Sequence, residues 1–278
     1  MTWPIALLLA VLQGLTEFLP VSSSGHLALL QSYLERRSGS PLAEALAFDI
    51  IVHLGTLLAV LIYFRADLRR LLPALLPASS ADEESAGRST SRRELLFLAI
   101  SLPPTAVIGL LLRSFAERLL HMPVVVAALI GVTGVLLLST RRHSVAQKGA
   151  GAPLTWGRAL AMGAAQGMAV MPGLSRSGLT IAAGLATGLS PMAAFRLSFL
   201  MSIPTIAGAA LLELSGNQGA LAVLGWPALG AALTAGLVAL AALGILSRTL
   251  IRGRFHHFAW YCFAVAGAGI VLFTVWGG

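Results

Sequence analysis

The chain has 278 residues, of which 57% are hydrophobic and 11% are charged. A soluble domain carries about 25% charged residues, so this composition excludes an ordinary soluble protein and indicates an integral membrane protein. The net charge of +8 is no sign of nucleic-acid binding, because the basic residues lie between apolar runs, where they orient a chain in the bilayer. We therefore expect membrane lipid, and no nucleic acid, as a partner.

Six apolar runs approach the roughly 20 residues that a membrane-crossing helix needs. They cover residues 46–64, 95–112, 122–139, 192–212, 223–246 and 258–276. Four further runs are too short to cross, at residues 3–12, 26–34, 157–170 and 179–189. The short runs form two pairs that each enclose a polar turn, which predicts two re-entrant hairpins at about 3–34 and 157–189.

The polar turns of the two hairpins are related in sequence. The first reads Gln-Gly-Leu-Thr-Glu-Phe-Leu-Pro-Val-Ser-Ser-Ser-Gly-His from Gln13, and the second reads Gln-Gly-Met-Ala-Val-Met-Pro-Gly-Leu-Ser-Arg-Ser-Gly from Gln166. Aligning Gln13 with Gln166, at an offset of 153 residues, sets Ser-Ser-Ser-Gly over Ser-Arg-Ser-Gly. A Ser-Pro pair also precedes the first span, at 40–41, and the fourth, at 190–191.

The predicted fold is therefore an all-α polytopic membrane protein with two repeats, residues 1–139 and 155–278. Each repeat is one re-entrant hairpin followed by three spans. A hairpin returns to its own side and three spans cross, so the second repeat enters from the opposite face. Such inverted-topology repeats place a site near the midplane, where broken helices meet.

Basic residues are distributed unequally between the two predicted faces. One face holds Arg36, Arg37, Arg113 and Arg118, and the other holds Arg65, Arg69, Arg70, Arg88, Arg92, Arg93, Arg141, Arg142, Lys148, Arg158, Arg248, Arg252 and Arg254. The positive-inside rule makes the richer face cytoplasmic and puts both termini outside. Residues 78–93 show no apolar period and are predicted to form a cytoplasmic loop.

An ionisable side chain at membrane depth costs roughly 2.5–3.5 kcal/mol, so each one is a candidate for function. The candidates are Glu17, His26, Asp49, His53, Arg176 and Arg196. Asp49 and His53 are four residues apart and share a helix face, either at the site or as a pair that supports the hairpin. Arg196 is either a ligand, a partner of Asp49 or a helix-end residue.

The two serine-rich turns are candidate anion sites. Pro20 and Pro172 end the preceding helices, and the serines that follow can cap new ones. Free N–H groups at a helix start bind phosphate, and the guanidinium of Arg176 adds a charged fork. Two such turns facing each other would hold a diphosphate. The phosphate-binding candidates in these turns are Ser22, Ser24, Gly25, Ser175, Ser177 and Gly178.

A serine becomes a nucleophile when a base takes its proton, and the first turn holds two candidate bases, Glu17 and His26. The residues leave open whether the pair is serine with glutamate or serine with histidine, and whether water attacks instead. Glu17 and Arg176 could also be a structural ion pair.

At these residues the chain resembles the bacterial undecaprenyl-diphosphatase family, also called the bacitracin-resistance protein family. The resemblance extends over nearly the whole chain and is strongest at residues 13–26, 48–60, 172–181 and 195–204. It implies hydrolysis of a polyprenyl diphosphate lipid, undecaprenyl diphosphate, to the monophosphate at the outer face of the bacterial plasma membrane. This recycles the lipid carrier of cell-wall glycans and confers bacitracin resistance.

The resemblance also implies residue roles. Glu17, Ser23, His26 and Arg176 fall on the essential positions, with Ser23 as the nucleophile. The residues on supporting phosphate-site positions are Ser22, Ser175, Ser177 and Thr180. A divalent cation, Mg²⁺ or Ca²⁺, is expected, with Glu17 as its ligand. Gln13 stands where the family often has glutamate, which shifts weight onto Glu17 and leaves Gln13, Asp49 and His53 as supporting residues. Two alternatives stay open: a homodimer, and a lipid-phosphate transporter or flippase that uses the same midplane site.

Overall fold

A computed structural model of the chain describes residues 3–39, 45–75, 86–142, 152–216 and 226–275. Every regular element in these ranges is helical. The α-helices are α1 (Trp3–Phe18), α2 (Ser23–Ser38), α3 (Ala45–Tyr63), α4 (Arg65–Leu71), α5 (Ala86–Leu120), α6 (Pro123–Ser139), α7 (Trp156–Met168), α8 (Arg176–Ala186), α9 (Pro191–Gly216), α10 (Trp226–Ile251) and α11 (Phe258–Val275). Short 3₁₀ turns occupy Leu72–Leu75 and Phe255–His257.

Helix length and composition support four or five membrane spans in the described residues. Four helices are long and apolar enough, and α3 with the segment after it adds a fifth if that pair, bent by 69°, counts as one span. The apolar helix α6 is shorter, with 17 residues. The all-α membrane fold is therefore confirmed, and the count of six spans stays a prediction.

Two pairs of short helices form the hairpins that the sequence predicts. Helix α1 packs against α2, and α7 packs against α8. At 16 and 13 residues, α1 and α7 are about 24 and 20 Å long, less than the roughly 30 Å hydrocarbon core. Most residues of the two turns, hereafter tip 1 (residues 19–25) and tip 2 (residues 169–178), are buried within the helical bundle.

Close helix contacts hold both hairpins against the long helices. Helix α1 packs along α10, and α7 packs along α5. A Cβ atom added at Gly14 would lie 2.5 Å from the carbonyl oxygen of Ala235, and one added at Gly163 would lie 2.3 Å from that of Ser101. Glycine at these crossings lets the two backbones touch, as small residues do between membrane helices.

The predicted loop 78–93 is wrong over its second half, since α5 begins at Ala86. Residues 78–85 lie outside the described residues, as do the first Ser-Pro pair and Lys148. Polar residues can continue a helix beyond its apolar segment. The apolar pattern therefore shows where the buried part of the helix begins, and the helix itself begins earlier.

An ion cluster joins α4, α5 and α9. The guanidinium of Arg196 lies 3.0 Å from Asp67 and also pairs with Glu94, and Arg70 pairs with Glu94 and lies 3.8 Å from Asp67. Glu94 is buried, and both of its carboxylate oxygens face arginine. Of the three alternatives for Arg196, pairing with Asp49 is therefore wrong, because Arg196 faces a carboxylate on each of two other helices.

Candidate active site

A serine caps the helix that follows each tip. Ser22 Oγ accepts a hydrogen bond of 3.2 Å from the N–H of Gly25, and Ser175 Oγ accepts one of 3.1 Å from the N–H of Gly178. The two caps lie at the same offset as the sequence repeat. The prediction that serine begins a new helix here is confirmed at both tips.

The two tips touch each other. A Cβ atom added at Gly25 would lie 2.9 Å from the Cα of Gly173. The two backbones therefore meet at a pair of glycines. Ser177 Oγ donates to the carbonyl oxygen of Leu19 at 3.4 Å. The N-termini of α2 and α8, each with free N–H groups, therefore lie side by side.

Glu17, at the end of α1, is the centre of the site. One carboxylate oxygen accepts a hydrogen bond of 2.7 Å from the guanidinium of Arg176. The other accepts 2.6 Å from the hydroxyl of Ser23 and 2.9 Å from the amide of Gln13. Nε2 of His53 lies 3.6 Å from the second oxygen, beyond a hydrogen bond. The structure thus joins the predicted acid, serine and arginine, which come from both tips.

This charged group is buried and only partly satisfied. The side chains of Glu17 and Arg176 are 7% and 14% exposed. Nη1 of Arg176 and Oε1 of Gln13 are buried atoms that find no hydrogen-bond partner among the described residues. A buried polar group without a partner is costly, so these two atoms indicate a place where a ligand with donors and acceptors would bind. The ring of Phe199 lies 5.8 Å from the guanidinium carbon and forms one wall.

His26 has the place that its spacing predicts on α2, and both of its ring nitrogens are engaged. Nδ1 lies 2.7 Å from the carbonyl oxygen of Ser22, and Nε2 lies 2.9 Å from the hydroxyl of Tyr261. Of the two candidate bases for Ser23, Glu17 and His26, it is Glu17 that accepts a hydrogen bond from the Ser23 hydroxyl.

Asp49 and His53 share a helix face as predicted, but they are not joined through the carboxylate. Nδ1 of His53 lies 2.7 Å from the backbone oxygen of Asp49, which turns Nε2 towards Glu17. The carboxylate of Asp49 accepts 3.2 and 3.4 Å hydrogen bonds from the amide of Gln31. His53 therefore borders the site, and Asp49 connects α3 to α2.

The remaining serines keep hydroxyl groups near the tips. Ser24 lies 3.4 Å from Ser22, and Ser177 lies 3.3 Å from Ser175, between Oγ atoms. Thr180 is fully buried, and its hydroxyl pairs with Ser198 of α9 at 2.6 Å. It therefore fastens α8 to α9 in this structure.

Two residues at the site escaped sequence reasoning. Thr133 of α6 donates to the carbonyl oxygen of Gly173 at 2.9 Å and accepts from the N–H of Ser175 at 3.1 Å, so it holds tip 2. Tyr261 of α11 contacts His26. A hydroxyl within the apolar run 122–139 was a signal for Thr133, whereas an aromatic residue near a helix start usually indicates a membrane interface.

Comparisons with known proteins identify the family of the chain. Residues 6–268 match the family model described as bacitracin resistance protein BacA. An undecaprenyl-diphosphatase of Desulfosudis oleivorans is 41% identical, covering 97% of this chain and 96% of that protein. Undecaprenyl-diphosphatases of Desulforapulum autotrophicum and Korarchaeum cryptofilum are 40% and 39% identical and cover 95% and 94% of this chain, with 95% of each relative. The chain belongs to the BacA family of bacitracin resistance proteins.

Proposed function

We propose that this protein hydrolyses undecaprenyl diphosphate to undecaprenyl phosphate and inorganic phosphate. Membership of the family and the names of its relatives support the reaction. The observation that carries the assignment of the site is the carboxylate of Glu17, which binds the Ser23 hydroxyl on one oxygen and Arg176 on the other. By this reaction the protein recycles the lipid carrier and confers bacitracin resistance.

The diphosphate binds between the tips. Nη1 of Arg176 is free of partners among the described residues, so it can take a phosphate oxygen while Nη2 keeps Glu17. The N–H groups at the starts of α2 and α8 add donors, since helix N-termini bind phosphate. The capping serines use Oγ as an acceptor, so each hydroxyl keeps a proton that it can donate to phosphate in place of the neighbouring serine.

Ser23 is the nucleophile and Glu17 is its base. The hydroxyl already donates to the carboxylate at 2.6 Å, so its proton passes to Glu17 as the oxygen attacks the terminal phosphorus. The bond to the bridging oxygen breaks, undecaprenyl phosphate leaves with the proton that Glu17 had taken, and phosphate remains on Ser23. Water then attacks this phosphoserine, and Glu17 takes a proton from the water. Glu17 returns that proton to Ser23 Oγ as the bond from Oγ to phosphorus breaks and inorganic phosphate is released. Arg176 stabilises the charge that develops on the phosphate oxygens.

A divalent cation fits this site only together with the substrate. The described residues hold no group of three or more His, Cys, Asp or Glu that could bind a metal. Magnesium is often coordinated by one carboxylate together with substrate phosphates. Here the carboxylate of Glu17 and Oε1 of Gln13 could be its protein ligands. When bound, Mg²⁺ or Ca²⁺ would neutralise charge on the diphosphate.

We further propose that the fold is two inverted repeats with six spans. The glycine contacts support this: Gly14 faces Ala235 and Val238 of α10, and Gly167, its repeat equivalent, faces Thr105 and Ile108 of α5. Helices α1 and α7 thus pack on corresponding long helices of the opposite repeat. The ion cluster supports the orientation, because it gathers the end of span one and the starts of spans two and four on the Arg-rich, cytoplasmic side. The site then faces outward.

The test is phosphate release from undecaprenyl diphosphate by the purified protein in detergent. We expect release at a rate far above that of buffer, a decrease with a chelator, and recovery on adding Mg²⁺ or Ca²⁺. Transport across a membrane cannot occur in detergent. A protein that binds the lipid tightly there but releases no phosphate would therefore favour a lipid-phosphate flippase instead. The matched glycine contacts of the two repeats keep that alternative open, because transporters share this architecture.

A further inference from the structure

The hydrogen bonds of His26 determine which nitrogen carries its proton. A backbone carbonyl only accepts hydrogen bonds, so Nδ1, 2.7 Å from the oxygen of Ser22, must be the donor. In a neutral imidazole Nε2 is then an acceptor, and the Tyr261 hydroxyl, 2.9 Å away, must donate to it. The Ser22 carbonyl thus fixes the tautomer of the histidine, and the tyrosine hydroxyl donates to the ring nitrogen that remains.

Tyr261 also orients the imidazole ring. The two rings are nearly parallel, with an interplanar angle of 7° and centroids 5.6 Å apart. His26 is 8% exposed, so the ring is enclosed, and its partner comes from α11, at the other end of the chain.

The residue that His26 holds has an unusual backbone. Ser22 has φ 74°, and it is the only residue other than glycine with positive φ in the described ranges. Such a conformation costs of order 1–3 kcal/mol in a side-chain-bearing residue and persists only where its surroundings fix it. Ser22 is the cap of α2 and directly precedes Ser23, so its carbonyl orientation sets the direction of the Ser23 hydroxyl.

We propose that Tyr261 is a positioning residue of the active site, acting through His26. Its hydroxyl donates to Nε2 and holds the imidazole in place, the Nδ1–H group holds the Ser22 carbonyl, and the fixed turn aims Ser23 at Glu17. His26 then takes no proton from Ser23, because both of its nitrogens are engaged and the carbonyl that it faces has no proton to relay. This inference rests on the proposed function for its activity measurements, but its structural part can be tested alone.

The structural test is ¹⁵N NMR of the histidine rings in the detergent-solubilised protein. The His26→Asn spectrum, subtracted from the wild-type spectrum, assigns the His26 signals. We expect Nδ1–H in the wild type and a shift of the Nε2 signal in Tyr261→Phe, because Nε2 loses its hydrogen bond. We expect no change in the control Tyr63→Phe, which also loses a single hydroxyl contact, to Ser247. A proton on Nε2 in the wild type, or an unchanged signal in Tyr261→Phe, would overturn the proposal.

The activity test compares His26→Asn with His26→Ala. Asparagine places an N–H near the Nδ1 position but has no basic nitrogen. We expect His26→Asn to stay within about tenfold of wild type, His26→Ala to lose about ten- to a hundredfold and Tyr261→Phe to lose up to about tenfold, as for one buried hydrogen bond. A His26→Asn protein that binds substrate and is as inactive as His26→Ala would return the proton-transfer role to His26. An inactive wild type would refute the proposed function and leave the NMR result standing.

Discussion

Replacing Glu17 with glutamine tests both tasks that we assign to this carboxylate. The substitution keeps the size of the side chain but removes the charge that pairs with Arg176 at 2.7 Å. It also removes the base that lies 2.6 Å from the Ser23 hydroxyl and takes its proton. A positioned general base contributes typically 10²- to 10⁴-fold, so we expect kcat to fall by about that factor. The KM should stay level or fall, because Arg176 no longer divides its charge between Glu17 and the substrate.

The same variant has an expected signature in stability. Removing one partner of a buried ion pair costs about 3–5 kcal/mol, because the other charge is left without compensation. Glu17→Gln should therefore melt at a lower temperature than wild type. Inorganic phosphate should raise the melting temperature of this variant more than it raises that of the wild type. The control is Glu117→Gln, whose carboxylate is 59% exposed and pairs with Arg113 on the surface. Steady-state phosphate release and thermal melting in detergent measure both effects, and a kcat within tenfold of wild type would refute the reasoning.

Three further variants test separate parts of the site. Ser23→Ala should abolish the formation of phosphoserine, detected by mass spectrometry after rapid acid quench, and lower kcat at least about a hundredfold; a variant that keeps most activity would make water the nucleophile. Gly25→Ala should lower the melting temperature and kcat together, since its Cβ would lie 2.9 Å from Gly173 and overpacking costs about 1–3 kcal/mol; unchanged values would show that the tips need not touch. Glu94→Gln should destabilise the protein by about 3–5 kcal/mol, because it leaves Arg70 and Arg196 short of a partner, with KM unchanged; a loss no larger than that of the exposed-carboxylate control would contradict this.

The parts of the site that follow from local pattern were predictable. Proline followed by serine and glycine predicts a helix end and a capped restart, and Ser22 and Ser175 form those caps. The offset of 153 residues sets the two turns at equivalent places, which was enough to expect Glu17 near Arg176. Both expectations depend on short stretches of chain and on symmetry.

The contacts that depend on packing between distant helices were not predictable. Tyr261 is 235 residues from His26, and nothing in the apolar sequence around Tyr261 indicates this contact. Pairing with Asp49 is one of the roles that the sequence leaves open for Arg196, but the packing of α9 beside α4 and α5 gives it Asp67 and Glu94 instead. A long side chain can reach several acids, so its partner is decided by tertiary structure.

The central claim is that the two tips together build one diphosphate site, with the carboxylate from the first and the guanidinium from the second. The most direct measurement is phosphate release from undecaprenyl diphosphate in detergent by wild type, Glu17→Ala and Arg176→Ala, each checked for an unchanged elution profile. We expect each variant to lose at least about a hundredfold in kcat/KM, as for removal of a base or of a charged transition-state donor. Activity that survives in both variants would contradict the account.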